Sequence, residues 1–459
     1  MKKFTVKPRF TSRNVTVLGG SEEQEKSWLY LGRLAETGAL VDARFDTARP
    51  HVVAIFGKRG SGKSYTMGAM LESYCTREHE TSIGSVARDT AVLLLDTLGI
   101  FQWTDIALGE GSDSAVLRSQ RAVWRGWNLK PEALDVQVWV PKGTRGEETP
   151  ASHRDFAVRT SDFSADDWGY LLNLDIYQDR MGQFLNDAFI KVTLEGWHTE
   201  SRFFPAKPIY SLLDLIQCVK DDRELKESYQ PETRRAVLQQ LATFQRNPLF
   251  EDAGTPLTEL LTPGRMNVLV MNRMSGPLRL VILSAVIRRL MDERMAASET
   301  EKHLAIRSDL SAEERERLRG YLAGAVPRTL VALDEAQNVL ASERRTSAGE
   351  ILTRYVREGR NYGLSFMVAT QQPTALDSRI LAQVDTLIAH KLTVQGDIDY
   401  VRKNMKSNLP QEVVHAGRTL EFDDLLRSLD VGQALVSNTE ADRAVLLDIR
   451  PRVSVHGGF

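Results

Sequence analysis

Gly57-Lys58-Arg59-Gly60-Ser61-Gly62-Lys63-Ser64 has the spacing G-x-x-x-x-G-K-[ST] and follows an apolar run, His51-Val52-Val53-Ala54-Ile55-Phe56. Glycines so placed let backbone N–H groups turn inward around phosphates, and the helix expected next adds its positive end. Lys63 can reach the β- and γ-phosphates and Ser64 can ligate Mg²⁺, with Arg59 and Tyr65 flanking the same nucleotide. A chance glycine turn is the plain alternative, and the strand before and helix after argue against it. A second element, Leu330-Val331-Ala332-Leu333-Asp334-Glu335, ends an apolar run in two acids. Asp334 can hold the metal and Glu335 can act as base toward an attacking water, unless the pair is simply a polar turn. A third, Leu364-Ser365-Phe366-Met367-Val368-Ala369-Thr370-Gln371-Gln372-Pro373, brings Gln371 to a strand end, where it can sense a γ-phosphate, hold water or merely cap a loop. Arg360 lies between the last two elements. Its guanidinium can stabilise charge on a transferring phosphoryl group, though a solvated surface arginine is the default for it and for Arg357.

These groups need a sheet to hold them. From His51 onward strands alternate with helices: the run into the glycine loop, a helix from about Ser64 to Cys75, then the strand Ala91 to Asp96. Such alternation predicts a parallel sheet covered on both faces. Residues 1 to 48 hold short strand-like pieces, Phe4-Thr5-Val6 and Val15-Thr16-Val17-Leu18, and a helical stretch from about Gln24 to Glu36, forming a reduced leading region. A first part of the core spans 49–104, and 105–262 reads as a mostly helical insertion that contains one strand, Val136 to Val140, and the loop Pro141 to Pro150. The core resumes over 263–450 with the strand Met266 to Met271, a helix at about 277 to 296, a charged solvated stretch over 299–319, and strands at Thr329 to Asp334 and Leu364 to Thr370. A helix between those strands opens on Ser347-Ala348-Gly349-Glu350, which has capping-box spacing, and ends at Gly359 or Gly363; 451–459 is a tail.

Composition narrows the class. The 459 residues include 42% hydrophobic ones, enough for a substantial core, and no stretch approaches the length needed to span a bilayer. A chain that starts MKKFTVKPRFTSRN lacks a signal peptide's apolar segment, so the cytoplasm is the expected compartment, with no membrane partner. Cys75 and Cys218, the two cysteines, stand far apart without metal-ligand neighbours and read as buried apolar residues. A net charge of −2 excludes a polycation yet permits a local basic lining against nucleic acid.

Several blocks together resemble the HerA family of the HerA/FtsK superfamily of P-loop DNA-translocating ATPases. They are HVVAIFGKRGSGKS, LLLDTLGIFQW, LTPGRMNVLVMN, LVALDEAQN, REGRNYGLSFMVATQQP, LDSRILAQVDTLIAHKL and RPRVSVHGG, and they occur in the family's order. The resemblance implies an α/β, RecA-like P-loop NTPase core with an additional strand between the P-loop and Asp-Glu strands. It further implies ATP and Mg²⁺ at subunit boundaries and a homo-hexameric ring around double-stranded DNA. By resemblance Lys63 and Ser64 take the phosphate and metal positions, Asp334 and Glu335 the metal and water-activating pair, and Gln371 the sensor. Asp96 matches an acid in the second strand block, Arg360 an arginine used at the ATP site, and Arg49 is the nearest counterpart of a second. The P-loop comes too early for the family's full N-terminal β-barrel, and Thr97-Leu98-Gly99-Ile100-Phe101 departs from its usual loop. Arg273, Arg279, Arg344 and Arg345 are the candidates for contact with DNA. Three functions are implied: a duplex-DNA translocase serving a nuclease or antiphage effector, an ATPase platform that activates such an effector, and, last, a conjugation-type coupling ATPase.

Overall fold

Apolar runs that end in polar loops build one large sheet, and the functional loops hang from one edge of it. The computed structural model describes residues 10–12, 14–20, 27–35, 40–109, 114–340, 346–405, 412–415, 418–438 and 443–458. Its centre is an unbroken parallel block in the order Thr386–Ala389, Val52–Phe56, Leu364–Thr370, Arg328–Leu333, Thr90–Asp96, Met266–Val270, Val136–Pro141 and Arg154–Phe156. The strand Leu364–Thr370 stands between the P-loop strand and the Asp-Glu strand, as the resemblance implies. The strands from Thr386–Ala389 to Met266–Val270 are almost wholly buried because both faces are covered, whereas Arg154–Phe156 at the edge leaves Arg154 and Asp155 exposed. Val52, Ala54 and Phe56 point into the core on one side, and Val53 and Ile55 into the core on the other.

Beyond Thr386–Ala389 the sheet turns antiparallel through Gln433–Asn438, Arg443–Ile449 and Trp28–Leu34. The helix expected over 24–36 is therefore a strand where it is described. Trp28-Leu29-Tyr30-Leu31 pairs with Asp42–Asp46 on one side, and sheet packing overrides the local helical propensity. Phe4 to Val6 lie outside the described residues.

The 105–262 span also differs from expectation. After the short helix Ala115–Ala122, Val136–Pro141 pairs with Met266–Val270 on one side and with the edge strand Arg154–Phe156 on the other, extending the main sheet ahead of the larger group of helices. Those helices, from Ala165–Leu172 to Pro231–Gln245, pack around the buried Trp168 and lean on the long helix Gly276–Ile306, where Arg288 donates to Asp167 at 2.8 Å. That long helix continues ten residues past the expected 296, carried by its charged second half. The helix Ser347–Glu358 is capped one residue earlier than its sequence implies: Thr346 Oγ1 accepts from the Gly349 N–H at 3.0 Å, leaving Ser347 inside the first turn. It ends through the single turn Gly359–Tyr362 into Gly363 at φ 76.

Residues 451–458 do not trail free. Arg450 and Arg452 are fully buried against Glu72 of the P-loop helix Lys63–Glu72. Gly68 makes the approach possible, since a Cβ there would sit 2.6 Å from Arg452 Cζ. Cys75 and Cys218 are both buried free thiols. No helix among the described residues is long and apolar enough to cross a membrane.

Candidate nucleotide-binding site

The P-loop closes on itself before any ligand is considered. Gly60 and Gly62 take φ values of +75 and +106, a left-handed backbone that strains any residue with a Cβ. Ser61 Oγ donates to Lys58 O at 2.8 Å, and Lys63 Nζ donates to the same carbonyl at 3.1 Å. Arg59 and Gly60 stay exposed at the tip. Burial lowers the Lys63 pKa, while Glu335 and Asp334 pull it back up. One flank is braced by His390, which follows the neighbouring strand Thr386–Ala389. Its Nε2 lies 2.9 Å from Thr66 Oγ1 and its Nδ1 2.7 Å from Gln433 O. Burial pushes His390 down to about 4, so the ring is neutral. Sequence reasoning missed this residue, although the block IAHKL contains it.

Across from the P-loop, the strand Arg328–Leu333 delivers Asp334 and Glu335. Asp334 is fully buried, and desolvation raises its pKa to about 7 against the pull of the Ser64 hydroxyl. Its Oδ2 is buried without a hydrogen-bond partner. A desolvated carboxylate with an orphaned oxygen beside a serine hydroxyl is the environment a bound cation corrects, so these residues fit Mg²⁺. Glu335 adopts φ 51 and ψ 49, a left-handed conformation costing roughly 1 kcal/mol or more outside glycine. That geometry aims its carboxylate at two amides: Gln371 Nε2 donates to Oε1 and Gln337 Nε2 to Oε2. Gln337 is held in turn by Thr370, whose Oγ1 donates to its Oε1 at 2.7 Å. Glu335, Gln371 and Lys63 thus line one concavity of about 1050 Å³ together with Arg59, Ser64 and Tyr65. A larger hollow of about 1350 Å³, between the insertion and the helix Ser347–Glu358, holds none of these groups.

Asp96 has a different role from direct ligation. It is fully buried, and its carboxylate accepts from four successive backbone N–H groups, Leu98 to Phe101, at 2.7 to 3.3 Å. Desolvation lifts its pKa to about 6, and those four bonds oppose the rise. It shapes the departing loop Thr97 to Phe101, whose Thr97 Oγ1 donates to Asp334 O at 3.1 Å.

The two remaining arginines are not in this concavity. Gln371 follows the seven-residue strand Leu364–Thr370, and Arg360 precedes its start, about 23 Å away at the usual rise per residue. Arg49 likewise precedes the strand Val52–Phe56, whose other end feeds the P-loop. At that opposite edge the two share one polar chain. Arg360 Nη1 stands 3.8 Å from Asp385 Oδ2, and Asp385 Oδ1 is 3.2 Å from His51 Nδ1. His51 Nε2 lies 4.0 Å from Asp46 Oδ2, which Arg49 Nε meets at 3.5 Å. Burial would raise the Asp385 pKa, but His51 and the Val52 N–H hold it below the ordinary range. Asp385 falls within the block LDSRILAQVDTLIAHKL, but neither it nor Asp46 belongs to a nucleotide motif that would single it out.

Of the DNA candidates, Arg273 and Arg279 follow the strand Met266–Val270 on the nucleotide edge. Arg273 Nη1 donates to Thr144 O at 2.8 Å and Thr149 Oγ1 at 3.1 Å, while Arg279 is half-buried with an unpartnered Nε. Arg344 and Arg345 lie outside the described residues.

The fold and blocks have known relatives. Residues 29–290 match the family described as Helicase HerA, central domain. The DNA double-strand break repair helicase HerA of Pyrococcus furiosus is 28% identical over 196 residues, 41% of this chain and 35% of that protein. The protein of that name from Saccharolobus solfataricus is 22% identical over 271 residues, 57% of this chain and 48% of that one. The chain therefore spans between about a third and a half of the length of these relatives. Among solved structures, VirB4 of Thermoanaerobacter pseudethanolicus superimposes with a TM-score of 0.52 at 16% identity, covering 94% of this chain and 98% of that one, a likeness of fold. With more than half of its residues in the match, the chain belongs to the HerA helicase central-domain family.

Proposed function

We propose that the protein is an ATP-driven translocase of double-stranded DNA that works as a head-to-tail ring of six copies. The observation that carries this reading is the division of the site between two edges of one sheet. The phosphate grip, the acids and Gln371 sit at the strands' C-terminal ends, while Arg360 and Arg49 sit at the N-terminal ends. A group that stabilises phosphoryl transfer from that far edge serves a neighbour's nucleotide, and such a heterologous contact closes into a ring. Duplex DNA as the cargo is supported by the HerA relatives, whose name is that of a DNA double-strand break repair helicase.

Within one site, Lys63 and the inward backbone N–H groups bind the β- and γ-phosphates. Ser64 and Asp334 would hold Mg²⁺, which supplies charge neutralisation on the phosphate oxygens when bound. Glu335 takes the proton from the attacking water, with Gln371 and Gln337 fixing the direction of its carboxylate. Arg360, and Arg49 beside it, approach from the adjacent copy and offset the negative charge that spreads over the transferring group. On this reading a separate nuclease or defence effector takes the DNA at the ring's exit, and its activity falls in the Lys63→Ala variant. The test is steady-state ATP turnover with and without linear duplex DNA across a salt series. Stimulation that weakens steeply as salt rises is expected. No stimulation by duplexes of any length would refute the DNA motor.

A further inference from the structure

The P-loop, Glu335 and Gln371 line only part of the concavity, and most of the remaining wall comes from residues outside those motifs. Large apolar side chains stand exposed at its margin: Leu98 at 49%, Val123 at 51% and Val431 at 79%. Water-facing apolar groups gathered around one concave site signal a ligand or partner that covers them. The wall between them is firmly made. Gln120, in the helix Ala115–Ala122, pairs both ways with the His456 backbone, its Nε2 donating to the carbonyl and its Oε1 accepting from the N–H, each at 2.9 Å. Trp124 Nε1 donates to Arg452 O at 2.7 Å, and the Arg452 N–H donates to Tyr65 OH at 2.9 Å. Tyr65 lies two residues after Lys63, so this wall starts directly beside the phosphate grip. Its ring meets the His456 ring edge-on with centroids 5.4 Å apart. Gly432 completes the cleft next to the P-loop: a Cβ on Gly62 would stand 3.6 Å from Gly432 N.

We propose that this wall is the subsite for the base and ribose of the nucleoside triphosphate, with Val123 and Val431 as its apolar jaws and His456 as its hydrogen-bond donor. It rests on the nucleotide reading above and deepens it. A planar base needs two apolar surfaces and a few polar groups to fix its orientation. The jaws supply the first. For the second, Arg452 Nη1 donates to His456 Nδ1 at 3.3 Å, so a neutral His456 carries its proton on Nε2, the nitrogen left to meet the base. Burial and Arg452 push His456 down to about 4, which keeps the ring neutral at working pH. The last residues of the chain, anchored through Glu72 to the P-loop helix, then belong to the nucleotide site.

Calorimetric titration of the intact chain with Mg-ATP and with Mg-tripolyphosphate tests this, because only ATP has a base. The double variant Val123→Asn/Val431→Asn should weaken ATP roughly tenfold and leave tripolyphosphate unchanged, since both side chains are exposed and neither belongs to the P-loop or carries a charge. His456→Phe, which keeps the ring and removes the donor, should weaken ATP several-fold and spare tripolyphosphate. Ile306→Asn, at a site 76% exposed on the far end of the long helix, should change neither. Equal weakening of both ligands by the jaw variant, or an unchanged ATP affinity, would overturn the subsite. Lys63→Ala separates the two readings: it should weaken both ligands, and if it weakens neither, the nucleotide site itself is wrong.

Discussion

Replacing Glu72 by alanine should destabilise the protein more than any single surface change. Its carboxylate is fully buried and accepts five hydrogen bonds. Oε1 takes Arg452 Nε at 2.9 Å, Ser454 N at 3.0 Å and Ser454 Oγ at 2.6 Å; Oε2 takes Arg450 Nη1 at 3.2 Å and Val453 N at 3.0 Å. Alanine leaves two guanidiniums buried with no counter-charge. Breaking one such pair from one side costs about 3–5 kcal/mol, and the two stranded backbone N–H groups add to it, so a loss near the upper end, about 5 kcal/mol, is expected. With an m-value above that of small domains, this lowers the urea midpoint by about 1 M, read by intrinsic fluorescence. The sign of the pH dependence is set by the same contacts. Burial alone would raise the Glu72 pKa, but the two arginines bring it below its ordinary 4.5. Its stabilisation is therefore complete above pH 4.5 and is lost as pH falls through the lower folded value, so wild type and variant should converge in acid. Replacing all three members together, Glu72→Met with Arg450→Met and Arg452→Leu, should recover much of the loss because no charge stays buried. A Glu72→Ala midpoint within about 0.1 M of wild type would mean that the buried carboxylate and its two arginines contribute nothing to stability.

The site and its supports lead to three further expected outcomes. Glu335→Gln should bind ATP normally and hydrolyse it at least about 10²-fold more slowly in single-turnover assays, and normal turnover would remove Glu335 from the base role. Asp96→Ala strands four loop N–H groups and should cost roughly 3 kcal/mol in chemical denaturation, whereas Asp96→Asn, which keeps an acceptor oxygen, should cost clearly less. Thr346→Ala should lose about 1 kcal/mol of protection at the first turn of its helix by hydrogen exchange, and Ser347→Ala almost none; the reverse order would restore the capping box to Ser347.

The central strands were legible because a strand buried on both faces is an unbroken apolar run, and Val52–Phe56 and Leu364–Thr370 match their expected spans. The P-loop and the Asp334-Glu335 pair were legible because their chemistry is local in sequence. What failed was non-local. Glu22-Glu23-Gln24-Glu25-Lys26 lends helical propensity to its neighbourhood, yet Trp28–Leu34 is a strand because Arg443–Ile449, more than four hundred residues later, pairs with it. The closing RPRVSVHGG looked like a tail, since nothing in its own composition reveals that Glu72 awaits its two arginines. Asp96 looked like a site acid, and only the folded loop shows its oxygens taken up by backbone. Arg360 and Arg49 could be proposed from sequence, but their shared edge emerges only from the strand directions and the Asp385-His51-Asp46 chain that links them.

The shared site is the core of the account, and subunit mixing tests it most directly. Arg360→Ala subunits keep their own Lys63, and Lys63→Ala subunits keep Arg360; each alone should be nearly inactive in ATP turnover. Mixed in equal amounts and allowed to assemble, about a quarter of the interfaces pair an intact Lys63 with an intact Arg360, so turnover should rise to about a quarter of wild type. Wild-type turnover by unmixed Arg360→Ala protein would contradict the account outright.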